Sequence, residues 1–370
     1  MQRRCGSEAR RPVLKPRDAI RYLKQYHPPL SGRQGLRLDF NENTIGCSPR
    51  VLKRLQSLTG EELARYPERE PSEQIIAAHL GIDPAEVILT NGTDEAIHLV
   101  CETFLEPEHE AIVAVPTFAM YEIYSGSTGA RVVSVQADDS FKFPTEGILS
   151  QINSHTRLIA MANPNNPTGA LASAEDLIRI AKAAPDAALL VDEAYFEFAG
   201  ETMMPSWRKL PNLFVSRTFS KAYGLAGLRI GVLTGHVDQI TMVRRNSSPY
   251  NLNIAALLCL PEALADQEFI RGYVEQAVAG RVALEQELCS RGITYWPSRA
   301  NFVLMYLGAV NKTFITAMRE RGILVRDRSN DPGCKDCVRI TVGAADHNDH
   351  LMKTLREVFE QIGLQEKVAK

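Results

Sequence analysis

A lysine amine becomes a nucleophile or a base when burial strips its proton. Lys221 stands where that can happen. The stretch Ser216-Arg217-Thr218-Phe219-Ser220-Lys221-Ala222-Tyr223-Gly224-Leu225-Ala226-Gly227-Leu228-Arg229-Ile230-Gly231 is entered by one apolar run and left by another, with small residues between. A lone lysine is ordinarily a solvated surface charge. Among these neighbours its pKa should fall, which suits Schiff-base chemistry. Thr218, Ser220 and Arg229 bring two hydroxyls and a guanidinium to the same loop, donors that match a phosphate ester.

Three other segments carry chemistry. Leu189-Leu190-Val191-Asp192-Glu193-Ala194-Tyr195 puts Asp192 at the C-terminal end of a buried run. Open α/β sheets collect ligands at that end, although a loop cap would use the same residue. Thr90-Asn91-Gly92-Thr93-Asp94-Glu95 reads as a strand, a glycine turn and a helix start. Such a start offers free N–H groups and a positive dipole end to a phosphate, and Asp94 could equally be a first-turn capping acid. Asn163-Pro164-Asn165-Asn166-Pro167-Thr168-Gly169 is a loop, since two prolines forbid a helix there and the glycine permits a turn. No G-x-G-x-x-G fingerprint or Walker motif is present.

Arginine recurs beside two strand-like runs, as Arg326 in Ile323–Asp327 and Arg339 in Val338–Gly343. A guanidinium next to a buried strand is costly unless it meets an anion. Cys334 and Cys337 form a lone C-x-x-C without a second pair. Two ligands cannot fill a tetrahedral site, so no metal is expected and the pair reads as free thiols on a surface loop.

The elements that must position these groups alternate. Val87–Thr90, Ala111–Val115, Arg131–Val135, Arg157–Ala162, Ala188–Val191, Leu213–Ser216 and Leu228–Leu233 read as strands. Thr93–Phe104, Met120–Thr128 and Glu175–Ala184 read as helices. This is the pattern of a mainly parallel α/β sheet covered on both faces. From about Asn251 to Arg291 the chain reads as long and helical. Short strands follow at Phe302–Tyr306, Ile323–Val325 and Val338–Thr341, with helices at Lys312–Glu320 and Asp346–Ile362, an α+β pattern.

A length of 370 residues favours two lobes. The net charge of −2 gives no general reason to bind nucleic acid or a membrane surface. Apolar runs such as Ala187–Val191 are strand-length, so no membrane span is expected. Met1–Arg11 is basic without an apolar core, so no secretory signal and no ordered element before about Pro16 are expected. Seven scattered cysteines, an odd number, point to a reducing compartment and a cytoplasmic enzyme.

The motifs N-P-N-N-P-T-G, D-E-A-Y and S-K-A-Y-G-L-A-G-L-R, in this order, resemble those of fold-type I pyridoxal 5′-phosphate aminotransferases, and the lysine segment is similar to that of the histidinol-phosphate aminotransferases. The resemblance runs from about Leu23 to Leu355. It implies a large domain with a mainly parallel seven-stranded sheet and a smaller α+β domain. Residues 1–45 would form an arm and part of the small domain, 46–262 the cofactor domain and 263–370 the small domain. Lys221 would hold the cofactor and then move the proton from the substrate Cα to C4′ of the cofactor. Asp192 would pair with the pyridine nitrogen, and Tyr195 and Asn166 would flank the ring 3-oxygen. Gly92, Thr93 and Asp94, with Thr218, Ser220 and Arg229, would surround the phosphate. Phe118 would stack on the ring, a departure from the tyrosine common there. Tyr66, in Arg65-Tyr66-Pro67, would reach the cofactor phosphate of the other subunit of a homodimer. Tyr26, in the arm Leu23–Pro28, and Asn43, in Asn41-Glu42-Asn43, would line the substrate entrance. Arg339 would hold an α-carboxylate, and Arg326 would match the second arginine of the histidinol-phosphate branch. Glutamate would donate the amino group, leaving as 2-oxoglutarate, and imidazole acetol phosphate would become L-histidinol phosphate. Aromatic amino-acid aminotransferases and amino-acid-phosphate decarboxylases of the same fold are the alternatives. A non-catalytic regulator would need a DNA-binding segment, and none is seen before Leu23.

Overall fold

A computed structural model of the chain describes residues 14–23, 25–27 and 32–364. The expectation for the extreme N-terminus falls largely on residues 1–13, and the arm around Tyr26 includes Lys24 and Pro28; both lie outside the described residues.

The strands, in chain order, are β1 (Leu36–Arg37), β2 (Val87–Thr90), β3 (Glu110–Val115), β4 (Arg131–Gln136), β5 (Thr156–Ala162), β6 (Ala188–Asp192), β7 (Leu213–Thr218), β8 (Gly231–Gly235), β9 (Tyr295–Trp296), β10 (Phe302–Tyr306), β11 (Ile323–Leu324), β12 (Arg326–Asp327) and β13 (Cys337–Thr341). Seven of them form one sheet in the order β2-β8-β7-β6-β5-β3-β4. Neighbours from β7 to β4 run parallel, while β8 is antiparallel to both β7 and β2. β2, β6 and β8 are buried along their whole length, which is why they read as unbroken apolar runs rather than alternating ones. One hydrophobic cluster packs the Gly92–Phe104 helix on one face, through Ile97, Val100 and Cys101. Another packs Leu177, Ile180 and Trp207 on the other.

β8 begins at Gly231, later than the sequence suggests. Arg229 holds φ 54, a left-handed conformation that turns the chain and keeps residues up to Ile230 out of the strand. The stretch near 251–291 is two helices, Ile254–Ala265 and Gln267–Ser290. Asp266 lies between them at φ −100, ψ 59 and caps the second by accepting from the Phe269 N–H. Helices at Pro49–Gln56, started by the Ser48 side chain and Pro49, and at Glu70–Leu80 also belong to the fold.

The remaining strands make an antiparallel sheet, β12-β13-β10-β9. β1 pairs in parallel with β11, so residues near the two ends of the chain meet. A third cluster, from Leu38 to Phe359, fills the space behind them. Cys334 and Cys337 are not on a surface loop. Successive backbone hydrogen bonds fold 328–337 into a tight loop, and both thiols are buried against Phe141 and Leu304.

Candidate active site

The carboxyl ends of β5, β6 and β7 open into a cavity of about 240 Å³. It is lined by Lys221, Asp192, Tyr195, Asn166, Phe118, Thr93, Asp94, Thr218, Ser220 and Arg229, all of them expected from the sequence, and by Tyr121 and Phe40, which were not.

Asp192 is the last residue of β6 and buried. Tyr121 donates to its Oδ2 at 2.8 Å and Ser216 to its Oδ1 at 3.0 Å. Burial pushes its pKa up to about 6, while the two hydrogen bonds pull the other way. At neutral pH it is therefore mostly ionised, a buried anion able to face a cationic ring nitrogen. Strand alternation turns the next residue, Glu193, to the opposite face, where Arg217 donates to it at 3.0 Å and lies 3.5 Å from the Phe196 ring centre. That pair braces the end of the strand from behind.

Lys221 follows β7 in a turn. Its Nζ donates to the Phe40 carbonyl at 3.0 Å. Burial, reinforced by the charge of Arg339, lowers its pKa to about 8. Tyr195 is buried and its hydroxyl accepts from Asn41 at 2.9 Å; Asn41 also accepts from Thr341 at 3.0 Å. The segment Asp39–Asn41 thus ties the cavity to β13. Phe118 meets Tyr121 edge-on, with ring centres 6.0 Å apart.

At the other end of the cavity the Gly92–Phe104 helix presents its N-terminus. Gly92 has φ +76, and a Cβ there would stand 2.6 Å from Arg229 Nη2. Arg229 donates to Asp94 at 3.0 Å, and Thr218 donates to Ser220, hydroxyl to hydroxyl, at 3.0 Å. Backbone amides, two hydroxyls and a guanidinium converge there, which is the donor set of a phosphate cradle.

The arginines of β12 and β13 stand beside this cavity. Arg326 and Arg339 are direct partners across the two antiparallel strands. Arg339 is buried, donates to Asn166 Oδ1, and donates to the Asp39 carbonyl at 2.7 Å. Arg326 Nη1 and Arg339 Nε are buried without a hydrogen-bond partner among the described residues. Burial, with Arg328 and Arg326 nearby, draws the Arg339 pKa down to about 9. Asn166 therefore lines the cavity beside Tyr195 but with its oxygen committed to Arg339. Asn43 sits just outside: it donates to the Ala222 carbonyl at 2.8 Å and lines an adjoining groove with Glu42 and His347. Tyr26 is exposed and near enough to Arg326 to influence its charge. Tyr66 lies away from the cavity, 78% exposed, its ring centre 4.6 Å from that of Tyr250.

Sequence reasoning missed Phe40, Tyr121, Ser216 and the Glu193–Arg217 pair as site residues, and placed Asn41 only within the entrance segment, without its bond to Tyr195. Tyr121 could have been found from its place one turn beyond Phe118, and Ser216 from its position opposite Asp192 on the adjacent strand.

The family described as aminotransferase class I and II matches residues 33–359. The histidinol-phosphate aminotransferase of Roseiflexus castenholzii is 36% identical over 337 residues, 87% of this chain and 89% of that protein. The protein of the same name from Caldanaerobacter subterraneus subsp. tengcongensis is 35% identical over 328 residues, 87% and 93% of the two chains. Among solved structures, histidinol-phosphate aminotransferase from Sinorhizobium meliloti in complex with pyridoxal 5′-phosphate superposes with TM-score 0.83 at 26% identity, covering 94% of this chain and 98% of that one. L-threonine-O-3-phosphate decarboxylase from Porphyromonas gingivalis superposes with TM-score 0.74 at 25% identity, covering 88% and 99%.

Proposed function

The chain belongs to the class I and II aminotransferases, and from that premise we propose that it transfers an amino group from L-glutamate to imidazole acetol phosphate, giving 2-oxoglutarate and L-histidinol phosphate in L-histidine biosynthesis. The observation that carries the substrate reading is the in-register pair Arg326 and Arg339, a half-buried and a buried cation, each with a buried N–H group that has no partner among the described residues. A phosphate monoester, with a charge between about −1.5 and −2 at neutral pH, suits such a pair. The γ-carboxylate or α-carboxylate of glutamate can use the same donors in the other half of the cycle.

The residues present fit pyridoxal 5′-phosphate. Asp192 would hold the ring nitrogen, Tyr195 and Asn166 the ring oxygen, Phe118 one ring face, and Gly92, Thr93, Asp94, Thr218, Ser220 and Arg229 the phosphate. When bound, this cofactor supplies an electron sink that lets a proton leave the Cα of an amine substrate. Lys221, with its lowered pKa, takes and returns that proton. Arg326 and Arg339 orient the substrate, with Asn43 and Tyr26 at the entrance. Residues 46–262 would form the cofactor domain, and 1–45 with 263–370 the domain that carries the arginines.

A homodimer completes the reading. Leu52, Leu63, Tyr66 and Tyr250 are exposed apolar side chains that a second copy would cover, bringing Tyr66 to the neighbouring cofactor phosphate. Among the described residues no helix is long and apolar enough to cross a membrane. The unpaired cysteines among the described residues support a reducing, cytoplasmic setting.

The same fold carries a phosphothreonine decarboxylase, so decarboxylation is the second reading. The cofactor-loaded protein should be mixed separately with L-glutamate, L-histidinol phosphate, L-phenylalanine and O-phospho-L-threonine. Rapid, saturable bleaching of the cofactor band by the first two, slower bleaching by phenylalanine and no carbon dioxide from the fourth is the expected result. Phenylalanine matching histidinol phosphate would move the assignment to an aromatic aminotransferase, and carbon dioxide release to a decarboxylase.

A further inference from the structure

Like charges placed directly opposite on neighbouring strands destabilise a sheet, so the Arg326–Arg339 pair needs compensation. A third arginine joins it. The Arg328 N–H donates to the Cys337 carbonyl at 2.9 Å, continuing the ladder beyond β12. Side chains two apart on a strand share a face, which sets Arg328 on the side of Arg326. Its Nε is buried without a partner among the described residues. Its remaining charge is met by Asp331, three residues on, through an ion pair whose members are 11% and 25% exposed. Asp331 is positioned by its own N–H, which donates to the Arg328 carbonyl at 2.9 Å. It also lies within electrostatic reach of Arg326 and Arg339. Neither of those two has a carboxylate of its own at salt-bridge distance among the described residues. Asp39 also reaches Arg326 but is itself paired with Arg33, so three guanidiniums against Asp331 leave two positive charges. That complements a phosphate monoester dianion and exceeds what a single carboxylate needs.

We propose that Arg328 is a specificity-determining residue, shared between Asp331 and the phosphate of the substrate, and that it sets the preference for a phosphorylated over a carboxylate-bearing substrate. This rests on the reading of Arg326 and Arg339 as the substrate's anion site. Asp331 is a positioning residue. It holds Arg328 in the loop and offsets the surplus charge when glutamate occupies the site.

The test uses the cofactor-loaded full chain and its variants Arg328→Gln and Arg328→Lys in separate half-reactions, with inorganic phosphate as a competing probe. Arg328→Gln should keep the cofactor band and lose about tenfold or more in kcat/KM for L-histidinol phosphate, expressed in KM rather than kcat. The loss for L-glutamate should be several-fold smaller. The inhibition constant of inorganic phosphate should rise in parallel, while that of acetate should move less. Arg328→Lys, which keeps the charge but not the fork, should recover part of the loss. Equal losses for both substrates, or unchanged phosphate inhibition, would overturn the role of Arg328 while leaving the activity assignment standing. Wild-type protein indifferent to both L-histidinol phosphate and inorganic phosphate would overturn the substrate reading and this proposal together.

Discussion

Lys221 and Asp192 are driven in opposite directions by one cause. Burial disfavours charge, so it lowers the lysine from 10.5 to about 8 and raises the aspartate from 3.8 to about 6. Both then sit near neutral pH, where a proton can be moved with little driving force lost. The folded-state pKa of Lys221 lies below its unfolded value. The unfolded chain therefore binds more protons between about pH 8 and 10.5, and the cost of burying the ammonium, full below pH 8, is lifted across that window as pH rises. The functional corollary is measurable. The rate at which cofactor-free protein captures pyridoxal 5′-phosphate should rise with pH about a midpoint near 8. A midpoint above about 9.5 would mean an ordinary, solvated lysine.

A glycine governs how the elements meet at the proposed phosphate end. The start of the Gly92–Phe104 helix, the antiparallel strand β8 and the turn that carries Arg229 converge there. Gly231 lies so close that a Cβ on it would be 2.8 Å from the Gly92 carbonyl carbon. Gly92→Ala must hold a side chain at positive φ and push Arg229 off Asp94. It should weaken cofactor binding by about tenfold and destabilise the fold by at least about 1 kcal/mol. Equilibrium dialysis and a denaturant titration check both, and unchanged cofactor affinity would remove Arg229 from the cradle. The parallel strands were legible because they are apolar on both faces, as in Leu189–Val191. The turn at Arg229 was not, because an arginine at φ 54 follows no local preference and is held by its contacts. The break at Asp266 was hidden for a related reason: its capping role depends on a backbone angle that the helical pattern on either side does not reveal. The two thiols misled because their cover, Phe141 and Leu304, comes from distant parts of the chain.

At the scale of the whole molecule, the motifs disclosed which residues gather but not how they are tied. Asn41 to Tyr195, Lys221 to Phe40 and Arg326 opposite Arg339 join segments far apart in sequence, and only the folded chain displays them. The proposed dimer carries its own prediction. Lys221→Ala and Tyr66→Ala chains, each nearly inactive alone, should regain about a quarter of wild-type turnover when refolded as a mixture, the share of intact sites in randomly paired dimers. No recovery would mean that Tyr66 serves its own chain or none. The pairing of β1 with β11 adds a consequence in time. The seven-stranded sheet is complete once residue 235 has left the ribosome, whereas Leu36 must wait for Ile323. A nascent chain can therefore assemble the proposed cofactor cradle well before the arginines of β12 and β13 exist, so the proposed selectivity is the last property this polypeptide acquires during its synthesis.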